Sequence, residues 1–348
     1  MRPFNIEAVD HQMEGAIQQK IDNLNKPKGS LGRLEELAMQ ICLVQQTLEP
    51  RLTHPCHLLL GGDHGIEREG VSATPREVTW QQMVNFTHGG GGVNMFCRQH
   101  GFDLSIVDVG VDHDLSQVTG ITDRKIGHGT RNFLYEPAMT DEEFDRAIEI
   151  GKELADGCHA KGSNIVCIGE MGAANTSPSS VWMSIICDIP LTECIGAGSG
   201  LDDRGISHKA DVLCAAVARY KASYPTPTPE LLLRYFGGYE MVTAIGAMLR
   251  AAELKMLVMV DGFIMTACAL GAAMLYPAIV DYMIFCHCGD EAGHRLMLEF
   301  LHAKPLLQLG LRLGEGTGAL CSYPLIESAV RMVNEMNNFE NAKITKYF

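Results

Sequence analysis

Asn164-Ile165-Val166-Cys167-Ile168-Gly169-Glu170-Met171-Gly172 is the stretch from which the architecture can be read. An unbroken apolar run suits a strand buried on both faces, and the glycines that end it enclose one carboxylate, Glu170. The same plan recurs along the chain. His57–Leu60 leads into Gly61-Gly62-Asp63-His64-Gly65, and Leu104–Val109 into Gly110. Leu257–Val260 leads into Asp261-Gly262, and Tyr282–Cys286 into His287-Cys288-Gly289-Asp290. Short apolar runs that end in glycine and polar residues ahead of helices are what a parallel sheet with crossover helices produces. The expected fold is α/β, a Rossmann-like parallel sheet flanked by helices, with ligands bound outside the carboxyl ends of its strands.

Working outward, residues 5–24 read as a helix with one polar face, broken by Lys26-Pro27-Lys28-Gly29-Ser30. Ser30 is then placed to cap a second helix, whose apolar Leu34, Leu37, Ala38, Ile41 and Cys42 follow helical spacing. Two helices ahead of any strand predict a separate helical layer. Thr140-Asp141-Glu142-Glu143 is a capping box opening a helix to about Asp156, and the proline-rich residues 224–229 form a stiff connector before a helix at 230–235. Gly262 to Val280 is an uncharged run of 19 residues. Asp261 and Asp281 bracket it and Pro277 interrupts it, so it reads as a buried helix leading into a buried strand, not a membrane span.

Composition narrows the function. Of 348 residues, 46% are hydrophobic and 20% charged, as in a globular protein with a sizeable core. The net charge of −14 argues against a general nucleic-acid binder and against an anionic membrane surface. The 12 cysteines include no CxxC, and Met1-Arg2-Pro3-Phe4-Asn5-Ile6-Glu7 lacks the apolar stretch of an export signal. Reduced thiols in a cytoplasmic protein are expected.

Leu311-Arg312-Leu313-Gly314-Glu315-Gly316-Thr317-Gly318 carries the chemistry. An apolar lead-in predicts a short strand ending near Leu313, and Thr317 is placed to cap the periodic run Leu320–Met336. A lone carboxylate among glycines points to a base held beside a polar ligand, because a carboxylate repels anions. Three further glycine loops precede helices: residues 89–92, 169–176 and 196–203. Their backbone N–H groups suit a phosphate, with Lys209 as countercharge. Neither a Walker A loop nor a GxGxxG fingerprint after the first strand is present, so the expected ligand is a phosphorylated small molecule rather than ATP, GTP or a dinucleotide. Cys286, His287, Cys288, Asp290 and His294 suggest zinc by residue type, but strand neighbours alternate faces and the spacing is wrong. No metal and no cofactor is expected.

These residues together carry a family resemblance. The motifs are Lys26 through Glu35, Gly62-Asp63-His64-Gly65, Gly129-Thr130-Arg131-Asn132-Phe133, Gly169-Glu170-Met171-Gly172 with Asn175-Thr176, Gly198-Ser199-Gly200-Leu201-Asp202-Asp203, Gly237-Gly238-Tyr239-Glu240-Met241, and Leu311 through Gly318. In that order they resemble the nicotinate-nucleotide–dimethylbenzimidazole phosphoribosyltransferases. The resemblance implies transfer of the 5-phosphoribosyl group of nicotinate mononucleotide to a benzimidazole-type base, with inversion, for the lower ligand of cobalamin. It implies a homodimer, an α/β catalytic domain over 52–324, and a smaller helical domain from 1–51 with 325–348. It also implies Glu315 as catalytic base and Glu170 as a second glutamate near the acceptor. Gln81 or Gln82 falls in the acceptor pocket. Gly172, Asn175, Thr176, Gly198, Ser199, Gly200, Asp202, Lys209, Gly289, Gly314 and Gly316 line the substrate and phosphate positions. Three positions depart from the family pattern: Thr74, where tyrosine or serine is common, Ala173, where a bulkier residue is, and Gly289, where serine is. Two other readings are a metal-dependent hydrolase and a nucleotide-binding sensor without catalysis; retained Glu315 and Glu170 speak against the sensor.

Overall fold

The computed structural model describes residues 3–348. Six strands form one parallel sheet: β1 Cys56–Gly62, β2 Asp103–Gly110, β3 Ile121–Asp123, β4 Ile165–Met171, β5 Leu257–Val260 and β6 Met283–Phe285. Among the described residues the α-helices are α1 Glu14–Asn23, α2 Arg33–Gln45, α3 Glu77–Thr87, α4 Gly92–His100, α5 Asp141–Ala160, α6 Thr176–Cys187 and α7 Asp203–Ser223. They continue with α8 Pro229–Phe236, α9 Tyr239–Glu253, α10 Phe263–Leu275, α11 His294–Phe300, α12 Thr317–Glu335 and α13 Phe339–Ala342.

The strand order is β3-β2-β1-β4-β5-β6, so the winding reverses between β1 and β4. A parallel sheet opens a crevice at the carboxyl ends of the strands where the order reverses. Leu60 of β1 pairs with Glu170 of β4 at that end, which puts the Gly62 and Glu170 motifs side by side. Every residue of β1 is buried, as a strand covered on both faces requires. Its side chains alternate: His57 packs under Gly316 on the α12 side, while Gly62 meets Glu240 of α9.

Several expectations shift. The first helix begins only at Glu14; residues 3–11 form neither helix nor strand, with the Phe4 N–H donating to Tyr276 Oη (3.0 Å) and the Val9 N–H to Asp281 Oδ2 (3.0 Å). Those tertiary acceptors take donors that a helix would have used locally. Gly32, at φ 49°, precedes α2 in place of the Ser30 cap. Thr140 does close a capping box, but α5 runs on to Ala160. The stretch Leu311–Leu313 forms no strand. Gly310 (φ 67°) and Gly314 (φ 84°) bend the chain on either side of it, and Leu313 is exposed. Thr317 is the first residue of α12, not its cap, and its hydroxyl donates back to the Gly314 carbonyl (2.8 Å).

The chain ends meet, with α2 packed on α1 and α12 and the Asn25 N–H donating to Asn337 O (2.8 Å). The expected 324/325 boundary falls inside α12, which contains Pro324. Among the described residues no helix is long and apolar enough to cross a membrane.

Helix α9 contacts β1, β2, β4 and β5 and is covered in turn by α5. The two helices touch backbone to backbone: a Cβ on Gly151 would stand 2.1 Å from Thr243 O, and one on Gly246 2.3 Å from Ile148 O. Gly151→Ala and Gly246→Ala should therefore each cost about 1–3 kcal/mol or more by overpacking. Gly157→Ala on the same α5, where nothing lies within 4 Å, should be neutral or stabilise by up to about 1 kcal/mol through helix propensity. Urea unfolding of the three variants gives the comparison.

Candidate active site

Glu315 occupies left-handed backbone (φ 62°) between Gly314 and Gly316, which are left-handed too. For a residue with a Cβ that conformation costs on the order of 1–2 kcal/mol. Its carboxylate is held in compensation. The Val93 N–H donates to Oε2 (2.9 Å) and the Gly92 N–H is a second donor, both from the first turn of α4. A helix N-terminus favours negative charge. The glycine run 89–92, expected to cradle phosphate, thus grips the protein's own carboxylate. A Cβ on Gly92 would stand 3.3 Å from that Oε2.

Glu170 ends β4 beside this loop, where a Cβ on Gly314 would stand 2.5 Å from its Oε1. Asn175 Nδ2 donates to its Oε2 in a short hydrogen bond. Burial raises the Glu170 pKa to about 8; Asn175 works against the rise, while Glu240, Asp261 and Glu315 add to it. Glu170 therefore holds its proton at neutral pH. Burial also raises Glu315, but the Val93 and Gly92 amides favour its ionised form. Both carboxyls are raised, but only Glu315 has backbone amides that favour its ionised form.

Burial opposes charge on Asp261 too, yet His287 and the Ala319 and Gly262 amides hold it below the usual range. His287 Nε2 lies 3.4 Å from Asp261 Oδ1, and the Ala319 N–H donates to the same oxygen (2.8 Å). His294 is buried, which lowers its pKa to about 3. The Gly289 N–H donates to its Nδ1 (2.9 Å), so the neutral ring's proton sits on Nε2, facing Thr266 Oγ1 at 2.9 Å. These two histidines are thus tied to Asp261 and Thr266, and among the described residues no cluster able to hold a metal is found.

Lys209 is almost fully buried, and its ammonium donates to Thr176 Oγ1 (2.8 Å). Burial lowers its pKa to about 8, against the pull of Glu291. Among the described residues Glu291 acts on Lys209 without closing an ion pair with it, which leaves a desolvated cation that an anion would stabilise.

A cavity of about 240 Å³ joins these groups. Of the expected residues, Gln82, Glu170, Gly172, Asn175, Thr176, Gly198, Ser199, Gly289, Gly314 and Glu315 line it. Lys209 stands behind Thr176 and Gly198. Four others do not line it. Gln81 is exposed, and of the two glutamines only Gln82 lines the cavity. Asp202 caps α7, accepting the Gly205 N–H (2.8 Å). Gly200 lies in the preceding turn at φ 127°, and Gly316 packs on His57. The cavity adds Asp261, His287 and Glu291, which the sequence offered as polar residues at strand ends without a site role, and Arg312 and Leu313. Arg312 stood inside the Glu315 motif as a second cation, and Asp261 and His287 ended predicted strands; position at a strand end was the signal available.

A phosphoribosyltransferase family model matches residues 6–344. A nicotinate-nucleotide–dimethylbenzimidazole phosphoribosyltransferase of Bacteroides fragilis is 58% identical over the full length of both chains. The chain belongs to that family. A Dechloromonas aromatica member is 48% identical over 99% of both chains. The crystal structure of CobT from Thermus thermophilus superposes with a TM-score of 0.92 at 34% identity, covering 97% of this chain and 100% of that one. Members of this phosphoribosyltransferase family are enzymes of pentosyl transfer; in this chain Glu170 and Glu315 line the cavity and the buried Lys209 stands behind it.

Glu170 makes its protonation measurable. A carboxyl raised from 4.5 to about 8 binds its proton more tightly folded than unfolded, so stability falls as pH rises through that window. Glu170→Gln removes the penalty. Its melting temperature should match wild type near pH 5 and rise above it progressively toward pH 8–9, about where the buried carboxyl ionises. A pH-independent difference would mean that Glu170 is already ionised in the fold.

Proposed function

We propose that this cavity moves the 5-phosphoribosyl group of nicotinate mononucleotide to a nitrogen of a benzimidazole-type base, with inversion at the anomeric carbon. The products are an α-ribazole 5′-phosphate, for the lower ligand of cobalamin, and nicotinate. The observation that carries the reading is the Glu315 carboxylate, fixed by two α4 amides in the wall of a cavity that Lys209 backs at another side.

The azole nitrogen attacks the anomeric carbon as the bond to the pyridinium nitrogen breaks. The bonding pair leaves with nicotinate, whose ring nitrogen departs neutral and needs little acid assistance. Glu315 takes the azole N–H proton. Glu170, protonated at neutral pH, offers a hydrogen-bond donor beside the acceptor and a relay for the proton Glu315 receives. Lys209, Thr176, Gly198 and Ser199 hold the phosphate, with Arg312 at the rim. Gly289 lines the cavity with its N–H donating to His294, and a Cβ there would stand 2.9 Å from Leu311 O. It makes room for the wall. The reaction needs no oxidant and no activated water, and we assign it no cofactor. Support for a homodimer and for a helical domain from residues 1–51 with 325–348 comes from the family resemblance, and support for a cytoplasmic setting from the 12 cysteines, none of them paired.

Glu315→Gln keeps the shape but cannot accept the proton, so kcat should fall roughly 10²–10⁴-fold with both substrates still bound. The double variant with Glu170→Gln should lose less than the product of the two singles, because cooperating groups are not additive. Near-normal turnover in Glu315→Gln would reject the assignment.

Lys209→Ala should weaken nicotinate mononucleotide binding by about 1.5–3 kcal/mol, the scale of a charged hydrogen bond, while benzimidazole affinity stays unchanged. Calorimetric titration of each substrate separates the two.

A further inference from the structure

Two motifs of the sequence, Gly62-Asp63-His64-Gly65 and Gly237-Gly238-Tyr239-Glu240-Met241, carry ionisable side chains outside the cavity. The fold joins them. His64 Nε2 lies 2.6 Å from Glu240 Oε1, with the side chains 1% and 0% exposed. The second nitrogen of His64 and the second oxygen of Glu240 have no hydrogen-bond partner among the described residues. Glycines from three segments close on the pair. A Cβ would stand 2.7 Å from Glu240 Oε2 at Gly62, and 2.2 Å from His64 Cε1 at Gly238. At Gly172, a wall of the cavity, it would stand 3.4 Å from both Glu240 Oε1 and His64 Nε2.

We propose that His64 and Glu240 form a positioning pair for Glu170, their shared hydrogen bond setting the floor under Gly172 and the charge environment of the Glu170 carboxyl. Burying two ionisable groups is costly, and well-packed apolar residues often serve stability as well or better. Stability alone therefore gives little reason for the pair. Glu170 is two residues from Gly172, so movement of that floor displaces it. The groups that act on the Glu170 carboxyl are Asn175 from the loop after β4, by its hydrogen bond, and by their charge Glu240 from α9, Asp261 after β5 and Glu315 from the loop before α12. Cys268 of α10 faces both Glu170 and Glu240, whose charges, after burial, push its thiol up. The inference rests on the reading that Glu170 serves the acceptor.

Carboxyl-labelled glutamate allows a direct test by carbon NMR, the Glu170 signal being assigned by its loss in Glu170→Gln. Glu240→Gln should lower the Glu170 titration midpoint by on the order of one pH unit, because a neighbouring negative charge is gone. The alkaline limb of kcat should move with it, and KM for nicotinate mononucleotide should stay at the wild-type value. His64→Ala should also move the midpoint, and His64→Gln, which restores a donor, should return it. A midpoint that stays put in both folded Glu240→Gln and His64→Ala overturns the proposal; should one variant fail to fold, the other decides. A midpoint that shifts while the kcat profile does not upholds the pair and removes Glu170 from catalysis, which separates the two failures.

Discussion

The grip of two backbone amides on the Glu315 carboxylate is the constraint around which the rest of the site is arranged. It joins the first turn of α4 to the loop before α12, and it offsets a left-handed backbone at a residue with a side chain. The loop can reach that position only by lying directly on the sheet. A Cβ on Gly169 would stand 2.3 Å from Glu315 O, and one on Gly316 2.2 Å from His57. The glycines at the ends of β4 and before α12 are thus steric requirements of one contact. Asp261 then fixes the other side of the same turn through the Ala319 N–H.

The parallel sheet was legible because its central strands are buried on both faces and so show as unbroken apolar runs, as in Ile165–Ile168. Elsewhere the same signal misled. Leu311 and Leu313 are apolar because they line the cavity, and Leu313 is 63% exposed, so an apolar run here marks a binding surface and not a strand. Strand β3 escaped notice because it is a three-residue edge strand with no buried residue.

Within the site, residue types were legible and partners were not. A glycine run ahead of a helix signals free amides, but sequence does not say which anion takes them; at Gly92 and Val93 it is an internal carboxylate. The choice between Gln81 and Gln82 needed the rotation of α3, whose buried Thr79, Met83 and Phe86 turn Gln82 toward the cavity and leave Gln81 outside. Gly289 could be seen to lack a serine hydroxyl, but its engaged N–H depends on His294, five residues along the chain.

The arrangement also explains how one cavity can hold a substrate charged at both ends. Glu170, Glu315 and Asp261 gather at the strand ends, and Glu240 lies behind them, so carboxyls dominate that side. Lys209 and Arg312 attend the other, where Thr176 and Ser199 stand and where Glu291 is a single carboxyl acted on by both cations. On the proposed reading the phosphate goes to the cations, and the pyridinium and ribosyl carbon go to the carboxyls. Positive charge builds on that carbon as the glycosidic bond stretches, in an interior where fixed charges act with little screening by water. The neighbouring carboxylates that add to the burial-driven rise at Glu170 then supply the same field that favours the transferring ribosyl cation. The left-handed turn holds Glu315 in that field at the position where the azole proton has to go.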